Sequence, residues 1–292
     1  MREFHLIDAS PFVFRAYFSL PTTMVDTSGR PANAVHGYAS FLLRYLETEK
    51  PTHIAVAFDE SLTTSFRNEI YPAYKAQRDL PPADLEAQFD DCRELTEAMG
   101  LTTFADLKYE ADDFIATLVH RFRGDGNRFV VVSPDKDLAQ LVSSAVTLFD
   151  FAKERRFGPE EVKVKFGVTP EQIADLLGLM GDAVDNIPGV KGIGAKTAVA
   201  LLDAFGSLDA LLEGLERVPA LPIRGAKGIA VKLEASREIA LLSRRLATVS
   251  IDAPAAVGPD ALRLREPDRV RLEPLLARLG LGMVRRWGWG PT

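Results

Sequence analysis

The 292-residue sequence is poor in cysteine and histidine, and each scarcity closes off a class of protein. A single cysteine, Cys92, cannot form an intrachain disulfide, so a reducing, cytoplasmic setting is expected. The four histidines, His5, His36, His53 and His120, lack metal-ligand spacing, which argues against structural zinc. No stretch approaches the roughly 18 apolar residues of a membrane span. The opening "MREFHLIDAS" reaches an aspartate after a short apolar run, unlike a signal peptide. Positive charge is not in excess either: 35 Lys and Arg against 41 Asp and Glu give a net charge of −6, which argues against a protein that coats DNA by charge alone.

What is present is enough apolar material, 47%, to bury a real core. Four short runs have strand length: "FHLI" (4–7), "HIAVAF" (53–58), "FVVV" (129–132) and "VTLF" (146–149). They are apolar at successive positions, as suits strands covered on both faces of a parallel sheet. Helical patterns at 34–48 and 111–122 supply the intervening helices, so residues 1–157 read as a doubly wound α/β domain. A long insertion within it begins at residue 61, is broken by Pro72, Pro81 and Pro82, and carries Arg67, Lys75 and Arg78. A helix follows with Leu85, Phe89, Cys92 and Met99 roughly along one face and Gly100 as its stop. From Gly158 onward the pattern is helical, so 158–292 read as a second, helical domain. Within it 252–268 have the composition of a linker, and an amphipathic helix at about 267–279 leads to "RRWGWGPT".

The acids are distributed with a pattern. Asp8 follows the first strand, Asp59 the second, and Asp135 with Asp137 the third. In an open parallel sheet the ligand site lies at the carboxyl ends of the strands, so separate segments deliver these acids to one rim. "YEADDF" adds Glu110, Asp112 and Asp113 at a helix start, more than capping requires, and "GDAVDN" adds Asp182 and Asp185, which would share one side if that turn is helical. Setting these nine charges aside turns −6 into +3. Crowded carboxylates do not stay ionised unaided, and divalent cations resolve the conflict. An oxygen-only ligand set selects Mg²⁺ or Mn²⁺, and a pair of such ions suits in-line phosphodiester hydrolysis.

Beside the last acids, "IPGVKGIGAKTAVALL" has the form of a helix-hairpin-helix spanning about 173–204. Gly189, Gly192 and Gly194 permit a tight turn and close backbone approach, and Lys191 and Lys196 add charge for a phosphate. Such contacts hold DNA without reading its sequence. In the insertion, Tyr71 and Tyr74 alternate with Lys75 and Arg78, a combination suited to single strands. The tail residues Arg285, Arg286, Trp287 and Trp289 read as a docked or frayed terminus.

In order, "LIDASPFVFRAY", "AFDESLTTSFRNEIYPAYKAQR", "YEADD", "SPDKDLAQL" and "GLMGDAVDNIPGVKGIGAKTA" resemble the structure-specific 5′ nucleases, namely bacterial flap endonucleases and the 5′-3′ exonuclease domain of DNA polymerase I. The resemblance covers about residues 4–285. It implies a PIN-like α/β nuclease core with a helical arch at about 61–100 and a C-terminal helix-hairpin-helix domain. Asp8, Asp59, Glu110 and Asp112 would surround one metal; Asp112, Asp135, Asp137, Asp182 and Asp185 would serve another, with Asp113 contributing to the cluster. Lys75 and Arg78 would act on the scissile phosphate, Arg15 would lie near it, Tyr74 would stack on the terminal nucleotide and Arg67 would touch DNA. The hairpin would grip duplex DNA and hold K⁺, the substrate being DNA with a 5′ flap, nick or 5′ end. No polymerase segment follows, so a stand-alone nuclease is expected. A catalytically silent junction binder and a small-molecule phosphatase remain the alternatives. The first leaves the full acid set idle; the second leaves the hairpin and basic loop unexplained.

Overall fold

The computed structural model describes residues 1–60, 63–78 and 80–282. Arg285, Arg286, Trp287 and Trp289 lie outside the described residues. One sheet contains β1 (Glu3–Asp8), β2 (His53–Ala57), β3 (Thr102–Phe104), β4 (Arg128–Val132), β5 (Val146–Asp150) and β6 (Arg155–Phe157), in the order β3-β2-β1-β4-β5-β6. All neighbours pair in parallel except β5 with β6. The four expected strands are present. The two additional ones are three-residue edge strands, and Arg155 and Arg156 on β6 are exposed. Such short, half-wet segments carry no continuous apolar run to read.

The helices are α1 (Ser10–Ser19), α2 (Asn33–Glu49), α3 (Phe66–Ile70), α4 (Ala83–Ala98), α5 (Ala111–Phe122) and α6 (Pro159–Phe166). They continue as α7 (Ile173–Met180), α8 (Ala195–Phe205), α9 (Leu208–Glu213), α10 (Ala226–Ala235), α11 (Arg237–Ala247) and α12 (Arg269–Leu279). No helix among the described residues is long and apolar enough to cross a membrane. The central strands are buried on both faces because side chains alternate across the pleat. Phe4 and Leu6 of β1 enter a cluster with Phe114 and Leu118 of α5, while Ile7 enters another with Leu42 of α2 and Leu95 of α4. The first cluster does not stop at the sheet: it continues through Leu176, Leu201, Leu211 and Leu233 of the helical half. The helical half therefore shares its hydrophobic core with one face of the sheet.

The stretch 252–268 is a packed strap, not a free linker. Leu264 N donates to Thr52 O, Arg265 N to Gly100 O and Asp268 N to Ala98 O, and Leu262 is buried. It returns the chain to the sheet side, where Leu272, Leu275, Leu276 and Leu279 of α12 join the cluster containing α2 and α4. Its Pro- and charge-rich composition reads as a linker because its apolar anchors, Ala253, Ala255 and Leu262, have no period, and its backbone hydrogen bonds leave no trace in side-chain patterns. Of the stretch 61–100, α3 and a turn-rich segment lie on the cleft side, whereas α4 buries Leu85, Cys92 and Leu95 in the core.

Arg67, on α3, ties three segments together. Its guanidinium donates to both carboxylate oxygens of Asp113 on α5 at 2.8 Å, and to the carbonyls of Leu246 and Thr248 at 2.9 and 3.1 Å. Asp113 in turn accepts from the amides of Glu110 and Ser250. Arg67 is 3% exposed and Asp113 is fully buried, so each depends on the other for neutralisation. Asp113→Ala should cost about 3–5 kcal/mol, because it strands a buried guanidinium. Urea unfolding followed by circular dichroism measures it, and a loss under about 1 kcal/mol would contradict this account.

Candidate active site

The strand order sets the position of the site. From β1 the chain winds outward to β2 and β3, then returns to place β4 on the other side of β1. The crevice at this switch point opens at the carboxyl ends of β1 and β4. Asp8 ends β1, Asp59 follows β2, Asp135 and Asp137 follow β4, and Glu110 is the N-cap of α5 with Asp112 in its first turn. With Asp185, these seven acids line one cleft of about 130 Å³, together with Lys75, Arg78 and Tyr74.

The geometry within the cleft is asymmetric. Asp8 Oδ2 accepts from Ser133 Oγ at 2.8 Å, but its Oδ1 is buried with no partner. Burial, then the Asp59 charge, push the Asp8 carboxyl well above the usual carboxylate range. Asp112 is raised likewise by burial and by Asp135 and Asp8. Burial and Asp135 push Asp137 up to about 7 against the opposing Lys136 ammonium. Glu110 behaves differently: burial would raise it, but Lys75 Nζ at 2.7 Å and the nearby Arg67 outweigh that and hold it low. Among the described residues no three of these acids converge closely enough to ligate an ion without moving. Cations pair with several of them instead: Lys75 with Glu110, Arg78 with Asp185, and Lys136 with Asp182 and Asp137. A deeply buried carboxylate oxygen with no donor, surrounded by acids that resist ionisation, fits a hard divalent cation.

Three expectations are corrected. Arg67 is buried and fully engaged by Asp113 and two carbonyls, so it is not a DNA-contacting residue. Asp113 does not line the cleft, and both its oxygens are taken by Arg67, Glu110 N and Ser250 N, which leaves none for a metal. Tyr74, 2% exposed, cannot present its ring to a base; its hydroxyl donates toward Glu110 and Asp185 at 3.2 Å and its ring lies under Lys75 Nζ. All three belong to chemically suitable types, and only burial distinguishes a braced side chain from a reactive one. Arg15 is exposed on α1 beside Phe14, which lines the cleft, and ion-pairs with no acid among the described residues.

The expected hairpin lies between α7 and α8. Asp182 and Asp185 do not share a helix side, because α7 ends at Met180 and 182–187 close as a turn, with Asp182 and Ile187 exchanging backbone hydrogen bonds. Asp182 thus faces Lys136, and Asp185 faces Arg78. Gly189 has φ +59° and a Cβ there would strike Gly181 N, so the turn needs glycine. Gly192 is also left-handed, whereas Gly194 is extended, caps α8 and faces open space. Lys191 and Lys196 are exposed beside it.

The family model of the 5′-3′ exonuclease N-terminal, resolvase-like domain matches residues 3–167, and that of the 5′-3′ exonuclease C-terminal SAM fold matches 168–270. The chain belongs to the 5′-3′ exonuclease family. It is 41% identical over 283 residues to DNA polymerase I of Bacillus subtilis, a match covering 96% of this chain and 31% of that protein. The chain thus spans about a third of the length of the curated relatives it matches. Bacteriophage T5 5′-exonuclease, solved with bound zinc, aligns with a TM-score of 0.69 and 26% identity over 95% of this chain and all of that one. The T5 flap endonuclease in a pseudo-enzyme-product complex with DNA and metal ions aligns with a TM-score of 0.67, 26% identity and coverage of 96% and 100%.

Two polar residues of this cleft escape a reading based on acids. Ser133 joins Asp8 to the turn after β4, since its Oγ also accepts from Asp135 N. Lys136 sits between the two acids of "SPDKD" and reaches Asp182 across the cleft edge. Both belong to "SPDKD", Ser133 opening it directly after β4 and Lys136 standing between its acids, so the motif itself is a usable signal for the pair.

The elevated carboxyls make a signed pH dependence. Folded Asp8, Asp112 and Asp137 retain protons that the unfolded chain has released above pH of about 4. The protein without divalent ions should therefore lose stability as pH rises from about 5 through about 7. Glu110, held low, acts in the opposite sense, at lower pH. Thermal unfolding in chelator at pH 5, 6, 7 and 8 should show this fall, and Asp8→Asn should flatten it; equal slopes in the two proteins would contradict the assignment.

Proposed function

We propose that this chain is a divalent-metal-dependent, structure-specific 5′ nuclease, cutting DNA phosphodiesters at a 5′ flap, nick or 5′ end during replication and repair in the cytoplasm. The observation that carries this reading is the seven-acid cleft at the sheet's switch point, with Asp8 Oδ1 buried and unpartnered at its base. Asp8, Asp59, Glu110 and Asp112 would hold one Mg²⁺ or Mn²⁺, and Asp112, Asp135, Asp137, Asp182 and Asp185 another, some through water. When bound, such ions activate water and neutralise the charge of the phosphodiester. The T5 structures with zinc, and with DNA and metal ions, support this choice of ligand class.

The chain's own residues do the positioning. Lys75 and Arg78 lie on the cleft wall where they can turn from Glu110 and Asp185 toward a phosphate and stabilise its developing charge. Lys75 holds a left-handed backbone, φ +54°, fixed by its amide's bond to Asp185 O, which aims its side chain into the acids. Arg15 offers a further cation at the cleft's approach. Residues 1–157 supply most of the metal ligands, and the helical remainder adds Asp182 and Asp185 and the grip, with Gly189, Lys191, Gly192, Gly194 and Lys196 holding the duplex backbone and K⁺ binding at the hairpin carbonyls. Hydrolysis leaves a 5′-phosphate and a 3′-hydroxyl.

Asp135→Asn should abolish cleavage of a labelled flap in Mg²⁺ while leaving flap affinity within a fewfold; undiminished turnover sinks the metal reading. Replacing Lys191 and Lys196 together by alanine should weaken duplex binding and flatten its log-log salt dependence by roughly 0.9 for each phosphate no longer neutralised. An unaltered salt slope in fluorescence anisotropy would remove the hairpin from the binding surface.

A further inference from the structure

Lys136 is the one residue of "SPDKD" whose side chain meets acids from both halves of the protein. Its Nζ donates to Asp182 Oδ2 of the turn before the hairpin and stands 3.2 Å from Asp137 Oδ1, after β4. That Asp137 oxygen is buried and accepts no aligned hydrogen bond. Asp182 and Asp137 are 7% and 9% exposed, so the ammonium partly neutralises two carboxylates that water barely reaches. Lys136 itself keeps 42% of its side chain exposed. It therefore has an open route out of the site, unlike the enclosed Lys75 with 11%.

We propose that Lys136 is a built-in competitor for the divalent ion served by Asp137 and Asp182. Its ammonium holds the two carboxylates together across the core and the helical half, and an arriving ion must displace it. The competition weakens the ion's affinity by the attraction that the ammonium gives up, and keeps this position sensitive to the ion's concentration. This inference rests on the reading of the acids as metal ligands. It concerns only how tightly the ion of this pair is held.

Mn²⁺ binding to the DNA-free full-length chain, followed by isothermal titration calorimetry and by the electron-paramagnetic-resonance signal of free Mn²⁺, tests it without any turnover. Lys136→Met keeps the length of the side chain and removes its charge, and should tighten the weaker class of Mn²⁺ site by about tenfold or more, as expected for deleting a unit charge a few ångströms from the ion. Lys136→Arg keeps the charge and should stay near the wild-type affinity. Lys136→Gln provides a second neutral side chain if the methionine variant fails to fold by circular dichroism. Unchanged or weaker Mn²⁺ binding in a folded neutral variant overturns the proposal, as does a loss of flap-DNA affinity with Mn²⁺ affinity unaltered, which would make Lys136 a DNA-binding residue. Asp182→Asn separates the two levels of inference. If it removes the weaker site while the neutral lysine variants leave wild-type affinity, only the role of Lys136 falls; if it leaves Mn²⁺ binding intact, the assignment of the acid to the metal falls with it.

Discussion

The rest of the structure depends on the buried ion pair between Arg67 and Asp113. It joins the segment after β2, the start of α5 and the chain leaving α11, three stretches far apart in sequence. Because Asp113 ties down the first amide of the α5 region, Glu110 and Asp112 are left with no choice of direction: one caps the helix from the cleft side and the other projects from its first turn. A charge pair this deep adds little net stability compared with apolar packing, but its geometry is demanding. It exchanges favourable energy for a fixed orientation of neighbouring acids.

Those acids store the opposite kind of energy. A sheet whose winding reverses at β1 brings several strand ends to one crevice, and the chain has placed carboxylates at each of them. Folding must overcome their mutual repulsion and their desolvation, which raise the carboxyls of Asp8 and Asp112, and it brings Lys75, Arg78 and Lys136 against others. A site held in this way is less stable than its fold allows, which is common where function and packing want different side chains.

Much of this is legible in the sequence, for definite reasons. Runs such as "FVVV" at 129–132 identify strands covered on both faces, and acids after successive strands become neighbours wherever a parallel sheet is open at its carboxyl edge. What escapes depends on burial and on long-range backbone bonding. Arg67 and Tyr74 have the composition of a nucleic-acid contact and are in fact interior supports. The strap at 252–268 is held by amide-to-carbonyl bonds to Thr52, Gly100 and Ala98, which no side-chain pattern records. The edge strands β3 and β6 are too short to show a period. The turn at 182–187 looks like a helix end by spacing, but Gly181 and Asn186, both at positive φ, bend it back on itself.

The continuity of the hydrophobic cluster from Phe4 in the sheet to Leu233 in α10 has a mechanical consequence. Two bodies joined by a linker can pivot, and the distance between sites on them then varies. Here the apolar side chains that would have to part in order to open a hinge are the same ones that hold the sheet together. The span from the glycine turn at 189–194 to the carboxylates on the rim is thus as inextensible as the core itself. A ligand that engages both the glycine turn and the acidic rim must therefore conform to a fixed span.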